Sequence, residues 1–293
     1  MDVEVDELGG QGRAILAGEQ DVASCLALPA PDVRQVGPLT AFRVILLPGI
    51  VLPAEQAYGA LIAALGPDVE AVAKDLEVYA TQEPPEAYSL ELEVAGVLRE
   101  ADARGWGRFH LVGYSGGGAA ALSLVAAHAD RLASLALLEP AWAGTWDLSP
   151  AERAVWLEQE RLARLPDDEF IPAFVRFGVR PGVSPPAPPP GDPPPWMAKR
   201  PAGIRAILRA FRNGAIDREA LRQFDRPVYF ALSALSNPDQ YEEIAKRLSD
   251  VFRDFELEVF EKRHHFDPPH RVEPERMAGS LTRLWRRADL RQP

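Results

Sequence analysis

The chain has 293 residues, of which 47% are hydrophobic and 26% charged. This composition is typical of a globular protein with one large core and excludes collagen, coiled coils and disordered chains. The 43 acidic side chains outnumber the 32 basic ones, and the net charge of −11 disfavours nucleic acid and anionic membrane surfaces as partners. No stretch approaches the roughly 18 consecutive apolar residues of a membrane span. The acidic start also lacks the basic residues of a signal peptide, so we expect a cytoplasmic protein.

Short strands alternate with helices along the first half of the chain. Apolar and β-branched runs stopped by glycine or proline are typical of strands buried in a parallel sheet, and longer amphipathic stretches are typical of helices. In chain order, the pattern predicts a β-hairpin at Val3–Glu7 and Arg13–Ala17, strands at 41–47, 69–73, 109–112 and 135–138, and helices at about 54–65, 89–104 and 119–129. Strands that alternate with helices across short loops predict βαβ units and a mostly parallel sheet.

The alternation stops between residues 140 and 226, which we interpret as an insertion. Helices are predicted at 150–165, 168–177 and about 204–212, and nine prolines lie within Pro181–Pro195. Because proline lacks an amide donor and fixes its own φ, this run predicts a stiff or irregular surface segment. The strand and helix pattern then returns at 228–232, 240–251, 255–260 and 274–286. We therefore predict a core made of residues 1–139 and 227–293, interrupted by a helical, proline-rich insertion at 140–226.

The sequence Gly113-Tyr114-Ser115-Gly116-Gly117 lies between a predicted strand and a predicted helix. A serine at such a turn is lifted above the edge of the sheet, and the flanking glycines remove side chains that would clash there. The helix N-terminus behind it favours developing negative charge. A tight glycine turn whose serine caps the helix is the alternative, and the absence of the characteristic lysine disfavours a phosphate-binding loop. Ser115 is therefore a candidate nucleophile.

With this motif and three weaker segments, the chain resembles the α/β-hydrolase family over nearly its whole length. Leu46–Ile50 resembles the family's oxyanion loop, residues 140–226 its cap, and Arg263–His265 with Glu273–Arg276 its histidine loop and final helix. The resemblance implies an α/β fold with a mostly parallel central sheet flanked by helices and an inserted helical cap. Two departures stand out. Pro48-Gly49 replaces the usual His-Gly, and the turn after strand 228–232 lacks the usual aspartate.

A serine hydroxyl needs a base within hydrogen-bond reach, and the chain offers five histidines. His264 and His265 lie in the loop after the last strand, where this fold places its base. We favour His265, because it directly precedes Phe266-Asp267-Pro268-Pro269, where the loop should turn back over the sheet. His264 stays the alternative. The remaining histidines are interpreted as packing or surface residues: His110, His128 and His270.

Two carboxylates compete to orient the base. Glu139 directly follows the strand beside the nucleophile strand, at the edge where open α/β sheets bind ligands. Asp239 lies seven residues beyond Leu232, and its position before helix 240–251 is typical of an N-cap. We therefore favour Glu139 and keep Asp239 as the alternative. Asp267 is interpreted as a local turn residue.

The oxyanion of an acyl-transfer intermediate needs two amide donors. The motif assigns one to Gly116, and the family resemblance assigns the other to Ile50. No cofactor is implied, and no metal site is expected, because Cys25 is the single cysteine and His264, His265 and Asp267 lie too close together in sequence. Aromatic residues of the insertion are candidates for an apolar pocket or for packing of the cap: Trp142, Trp146, Trp156, Phe170, Phe174, Phe177 and Trp196.

These features together predict a serine hydrolase that acts on a small or medium apolar ester, or a related acyl compound, through an acyl-serine intermediate. A carboxylic-ester hydrolase is the favoured activity. The serine at the turn argues against family members that use an aspartate nucleophile. A cofactor-free perhydrolase with the same residues, and a catalytically idle protein of this fold that binds a ligand or partner, are the alternatives.

Overall fold

Six parallel strands form the central sheet of the computed structural model, which describes residues 41–187 and 191–291. They are β1 (Phe42–Leu47), β2 (Val69–Ala73), β3 (Phe109–Tyr114), β4 (Leu132–Leu138), β5 (Val228–Ser233) and β6 (Phe255–Phe260). Their order in the sheet is β2-β1-β3-β4-β5-β6, and every neighbouring pair is parallel. The predicted α/β fold with a parallel sheet is confirmed. The hairpin predicted at 3–17 lies outside the described residues.

Helices cover both faces of the sheet. They are α1 (Ala54–Ala64), α2 (Leu90–Ala103), α3 (Gly116–His128), α4 (Pro150–Leu162), α5 (Asp167–Phe177), α6 (Arg200–Asn213), α7 (Arg218–Arg222), α8 (Pro238–Ser249), α9 (Pro269–Val272) and α10 (Pro274–Asp289). On one face, α1 and α10 bury Tyr58, Leu61 and Trp285 against the strands. On the other, α2, α3 and α8 pack into a larger apolar cluster that continues into the insertion.

Some helices begin earlier than the sequence pattern predicts. Helix α3 begins at Gly116 rather than at residue 119, because the glycines that would weaken an isolated helix are needed here for close packing. A Cβ on Gly117 would lie 2.5 Å from the carbonyl oxygen of Leu47, and one on Gly113 would lie 2.5 Å from the carbonyl oxygen of Gly117. These contacts bring the start of α3 against the ends of β1 and β3.

The insertion leaves the sheet after β4 and returns before β5, and it contains α4 to α7. Where α5 ends, the chain bonds to the loop that follows β5. Val179 forms an isolated antiparallel bridge with Ser236, and the Asn237 side-chain amide donates a hydrogen bond of 2.9 Å to the carbonyl oxygen of Phe177. The insertion is therefore attached at the carboxyl edge of the sheet, beside the turn that carries Ser115.

Candidate active site

Ser115 lies in a strained turn between β3 and α3. Its φ of 54° and ψ of −116° put it in a backbone region that residues other than glycine rarely adopt. The turn is held from both sides, since the Ser115 amide donates to the carbonyl oxygen of Leu138 at 3.1 Å and the Ser115 carbonyl oxygen accepts from the amide of Ala141 at 2.9 Å. The side chain is buried within the protein. This geometry fixes the direction of the Ser115 hydroxyl.

Glu139 follows the last residue of β4 and is also buried. Like Ser115 it has a positive φ, 48°. Its Oε1 atom accepts a hydrogen bond of 2.7 Å from the backbone amide of Ser233, at the end of β5. Its Oε2 atom lies 3.1 Å from Nδ1 of His265. The carboxylate is thus held between two strands and turned toward the imidazole.

His265 lies in the loop between β6 and α9, and its ring joins the other two residues. Nε2 of the imidazole lies 2.9 Å from Oγ of Ser115, on the side opposite to Glu139. The loop is held by the Tyr114 hydroxyl, which donates to the carbonyl oxygen of His265. All three residues are at least 95% buried, since the exposed fractions of Ser115, Glu139 and His265 are 5%, 2% and 3%. Low solvent access strengthens the hydrogen bonds along this chain.

The alternative residues lie outside this hydrogen-bonded chain. His264 accepts a hydrogen bond from the amide of Phe266 through Nδ1, and burial lowers its pKa. Asp267 pairs with Arg263 at 2.7 Å. Asp239 is the second residue of α8, and its amide donates to the side chain of Asn237. The interpretation of Asp239 as the N-cap is wrong. The cap is Asn237, because Pro238 occupies the first helical position, where its missing amide is harmless.

The remaining histidines differ in their surroundings. His110 lies within β3, where its Nδ1 is 2.8 Å from the Ser134 hydroxyl, and burial lowers its pKa to about 3. His270 is fully buried beside the rings of Tyr58 and Tyr114, and burial, with the charge of Arg271, lowers its pKa to about 3. His128 is the last residue of α3.

The two residues whose amides are expected to stabilise an oxyanion are in close contact. A Cβ on Gly116 would touch Cγ2 of Ile50 at 2.3 Å and lie 3.9 Å from the Ile50 backbone nitrogen. Gly116 is the first residue of α3, so no acceptor within the helix takes its N–H group. The loop that carries Ile50 is held in two places: Pro48 accepts from the amide of Gly117 at 3.0 Å, and Ile50 accepts from the hydroxyl of Tyr79 at 2.7 Å. The unusual Pro48 therefore supplies a carbonyl that ties the loop to α3.

A cavity of about 340 Å³, counting the part open to solvent, reaches the Ser115 side chain. The insertion contributes most of its apolar wall, with Phe174 and Phe177 from α5 and Leu208 and Phe211 from α6. The other lining residues are Ile50, Ala141, Gln159, Gly178, Gln240, Tyr241 and Phe266. Five of the seven predicted aromatic residues do not line this cavity: Trp142, Trp146, Trp156, Phe170 and Trp196.

Three residues of the cavity wall are not among the candidates expected from the sequence: Phe211, Tyr241 and Phe266. Phe266 directly follows His265, and this adjacency is a signal in the sequence for a place beside the base. Phe211 lies four residues after Ile207 on the buried side of α6, a spacing that indicates a core position and nothing more. Tyr241 lies on α8, a helix of the core, and no pattern in the sequence relates it to Ser115.

Within residues 41–187 and 191–291, no three histidine, cysteine, aspartate or glutamate side chains are arranged to hold a metal ion. In the same ranges, no helix has the length and apolar character needed to cross a membrane.

Comparison with known proteins identifies the fold. An esterase from Thermogutta terrifontis is similar with a TM-score of 0.63 and 18% identity, over 85% of this chain and 91% of its own. The enol-lactonase from Burkholderia xenovorans is similar with a TM-score of 0.60 and 16% identity, over 83% of this chain and 91% of its own. An α/β hydrolase from a Medee basin deep-sea metagenome is similar with a TM-score of 0.61 and 12% identity, over 84% of this chain and 89% of its own. No protein-family model and no curated protein sequence matches the chain. At these identities the similarity establishes the fold, which is that of the α/β hydrolases.

Proposed function

We propose that this chain is a serine hydrolase that cleaves a small or medium apolar ester, or a related acyl compound, through an acyl-serine intermediate. The observation that carries the proposal is a buried pair of hydrogen bonds. Ser115 Oγ lies 2.9 Å from His265 Nε2, and His265 Nδ1 lies 3.1 Å from Glu139 Oε2. Both distances lie within the range over which a proton is transferred or an imidazole is oriented. Along the sequence, the proposed nucleophile Ser115 comes first, the orienting acid Glu139 second and the base His265 third.

In the first step, Nε2 of His265 accepts the proton of the Ser115 hydroxyl while Oγ attacks the acyl carbon. Glu139 holds the imidazole in the tautomer whose Nε2 is free to accept, and its negative charge stabilises the imidazolium that forms. The backbone amides of Ile50 and Gly116 donate to the oxyanion of the tetrahedral intermediate. The imidazolium then gives its proton to the leaving oxygen, and the acyl-serine remains.

In the second step, His265 removes a proton from a water molecule that attacks the acyl-serine. The same two amides stabilise the second oxyanion, and the proton returns to Ser115 when the acid leaves. No redox change occurs, and the proposed reaction needs only the ester and water.

The cavity supports a substrate that is mainly apolar. Its wall near Ser115 carries phenylalanine, leucine and alanine side chains, with the amide groups of Gln159 and Gln240 as polar points. We propose that residues 140–226 form a cap that covers the acyl or alcohol group of the substrate and limits its size. The wall from α5 and α6, and the attachment of residues 177–179 to the loop after β5, support this role.

A fluorophosphonate probe tests the proposed function, because it phosphonylates only an activated serine. We expect the parent protein to gain one probe mass at Ser115 and to hydrolyse p-nitrophenyl acetate or butyrate. The Ser115→Ala variant should lose both the adduct and the hydrolysis, while Ser123→Ala, a change within α3, should keep both. Absence of labelling and hydrolysis in the folded parent would contradict the proposal and favour a protein that binds a ligand without catalysis. Equal labelling of Ser115→Ala would show that another serine reacts.

A further inference from the structure

The imidazole of His265 contacts two tyrosine rings that come from different elements. Tyr241, on α8, stacks on it with a centroid distance of 4.3 Å and an interplanar angle of 17°. Tyr114, at the end of β3, lies at 5.0 Å and 34°. Phe266 meets the imidazole at 90° and 5.2 Å. The ring that we propose as the base is therefore enclosed by aromatic side chains as well as hydrogen-bonded at both nitrogens.

We propose that Tyr241 is a positioning residue of the reaction, whose ring face stabilises the protonated form of His265. This inference rests on the proposed function and adds a residue to it. The face of an aromatic ring carries negative electrostatic potential and attracts a cation within about 6 Å of its centre. The attraction exists only while the imidazole is charged, so it acts in the transition state and in the tetrahedral intermediate. Because Tyr241 is 4% exposed, little water screens this attraction.

The two tyrosines have different tasks. Tyr114 donates its hydroxyl proton to the carbonyl oxygen of His265, and its ring also contacts His270. A Cβ on Gly49 would lie 2.7 Å from the Tyr114 ring, so this side chain also fixes the loop that leads to Ile50. Among the described residues, no hydrogen bond joins the Tyr241 hydroxyl to another group. The near-parallel stack on His265 is the specific contact that its side chain makes at the site.

Several charged or titratable groups surround His265. Glu139 faces it from the end of β4, His264 and Asp267 lie on its own loop, and His270 and Arg271 come from α9. The stack of Tyr241 adds a neutral group to this set, because burial, followed by the charge of Glu139, raises the pKa of the Tyr241 phenol well above its usual value. The phenol thus stays protonated and uncharged at neutral pH.

Variants of Tyr241 separate the ring from the hydroxyl. We would measure kcat and KM for p-nitrophenyl butyrate between pH 4.5 and 9 in the parent, Tyr241→Phe and Tyr241→Leu, with Tyr241→Met as a second apolar variant if the leucine variant does not fold. Without the ring, the imidazolium is less stable relative to the neutral imidazole. We expect the acid limb of kcat/KM to move down by about half to one pH unit in Tyr241→Leu, with kcat about three- to tenfold lower and KM little changed. Tyr241→Phe, which keeps the ring, should have the same acid limb, kcat and KM as the parent.

Three outcomes would overturn the inference. The first is an unmoved acid limb in Tyr241→Leu. The second is a change in KM alone in Tyr241→Leu, which would indicate that Tyr241 only lines the cavity. The third is a Tyr241→Phe variant that behaves like Tyr241→Leu. The titration of the His265 imidazole can also be followed by NMR in a Ser115→Ala background, where we expect the same downward shift. Fluorophosphonate labelling of the parent separates this test from that of the proposed function. A labelled, active parent with an unmoved limb contradicts the role of Tyr241 alone.

Discussion

The amide of Ser233 donates a 2.7 Å hydrogen bond to Oε1 of Glu139, so the carboxylate that faces His265 is held by the strand next to its own. Glu139 itself has left β4 with a φ of 48°, and its amide donates to the carbonyl oxygen of Ala231 in β5. Both bonds connect the end of β4 to β5. The acid therefore depends on the pairing of these two strands for its position, and a flexible loop is not needed to bring it to the imidazole.

Replacement of Glu139 by glutamine removes the charge and keeps an acceptor for Ser233. We expect kcat for a p-nitrophenyl ester to fall by about 10³- to 10⁴-fold, because the imidazolium loses its counter-charge and the wrong tautomer is favoured. Asp239→Asn is the matched control at the other carboxylate, and its kcat should stay within about twofold of the parent. A large loss in Asp239→Asn together with an active Glu139→Gln would reverse the assignment of the acid.

The choice between adjacent histidines is tested by His265→Ala and His264→Ala. Since Nε2 of His265 lies 2.9 Å from the Ser115 hydroxyl, its removal should abolish hydrolysis and fluorophosphonate labelling. His264→Ala should retain most of the activity, because Nδ1 of His264 accepts from the backbone amide of Phe266 instead. Steady-state kinetics of the two purified variants decide the question. Activity in His265→Ala would place the base elsewhere.

The size of the substrate should depend on Phe177. Its ring lines the cavity beside Ser115, so Phe177→Ala enlarges the space for the acyl chain. We expect kcat/KM for p-nitrophenyl octanoate, relative to acetate, to rise by about tenfold. Trp196→Ala is the control, because Trp196 is an aromatic residue of the same insertion that does not line this cavity. An unchanged ratio of kcat/KM for octanoate and acetate in Phe177→Ala would contradict a role of the proposed cap in limiting the size of the substrate.

Glycine-to-alanine substitutions in α3 and α1 should have opposite effects on stability, because the first site is closely packed and the second is open. In Gly117→Ala the new methyl group would meet backbone oxygens of Leu47 and Pro48 at 2.5 and 2.6 Å, and we expect a loss of about 1–3 kcal/mol in the free energy of unfolding. Gly59→Ala lies in the exposed middle of α1 with nothing within 4 Å, and it should gain about 0.5–1 kcal/mol. Urea denaturation of both variants measures these differences.

Stability should fall in acid because of His270. Its folded pKa of about 3 lies below the ordinary histidine value of about 6.5, so the unfolded chain binds a proton that the folded one excludes. The contribution of this residue is complete above pH 6.5 and is lost as the pH falls toward 3. In His270→Phe, the new side chain is a ring of similar shape that cannot titrate. Between pH 7 and pH 5, we expect the free energy of unfolding of this variant to fall by roughly 2 kcal/mol less than that of the parent. Equal losses in variant and parent, measured by urea denaturation, would contradict this.

The architecture was predictable because the signals were local. The strands of the middle of the sheet are short apolar runs, and the runs of β1, β3 and β4 end at proline, glycine and glutamate, so the alternation that defines a parallel sheet can be counted along the chain. The boundaries were less predictable. Proline and glycine counted against the starts of α3, α6 and α8, yet Gly116, Pro201 and Pro238 all lie in first turns. A first turn tolerates proline because its amides have no helical partner.

The positions of Ser115 and Glu139 also follow from local sequence, since each is the residue that comes directly after a strand. The cavity could not be predicted in this way. Its wall depends on how α5 and α6 lie over the sheet, and helical periodicity says which face of a helix is buried without saying what that face contacts. Trp142 illustrates the difference. It is a large aromatic residue close to Glu139 in sequence, and it stacks on Phe211 at 5.4 Å outside the wall of the Ser115 cavity.

The pairing of β4 with β5 joins two strands that the whole insertion separates. Contacts between residues so far apart in sequence form slowly, although the entropy of closing a long loop rises only with the logarithm of its length. A chain emerging from the ribosome can pair β1 to β4 early, with Ser115 already at its turn. The glutamate then still lacks its bond from Ser233, and the histidine has not been made. A nascent chain that stops before β6 therefore carries Ser115 without the proposed base, and under the proposed function we expect such an unfinished chain to be unreactive.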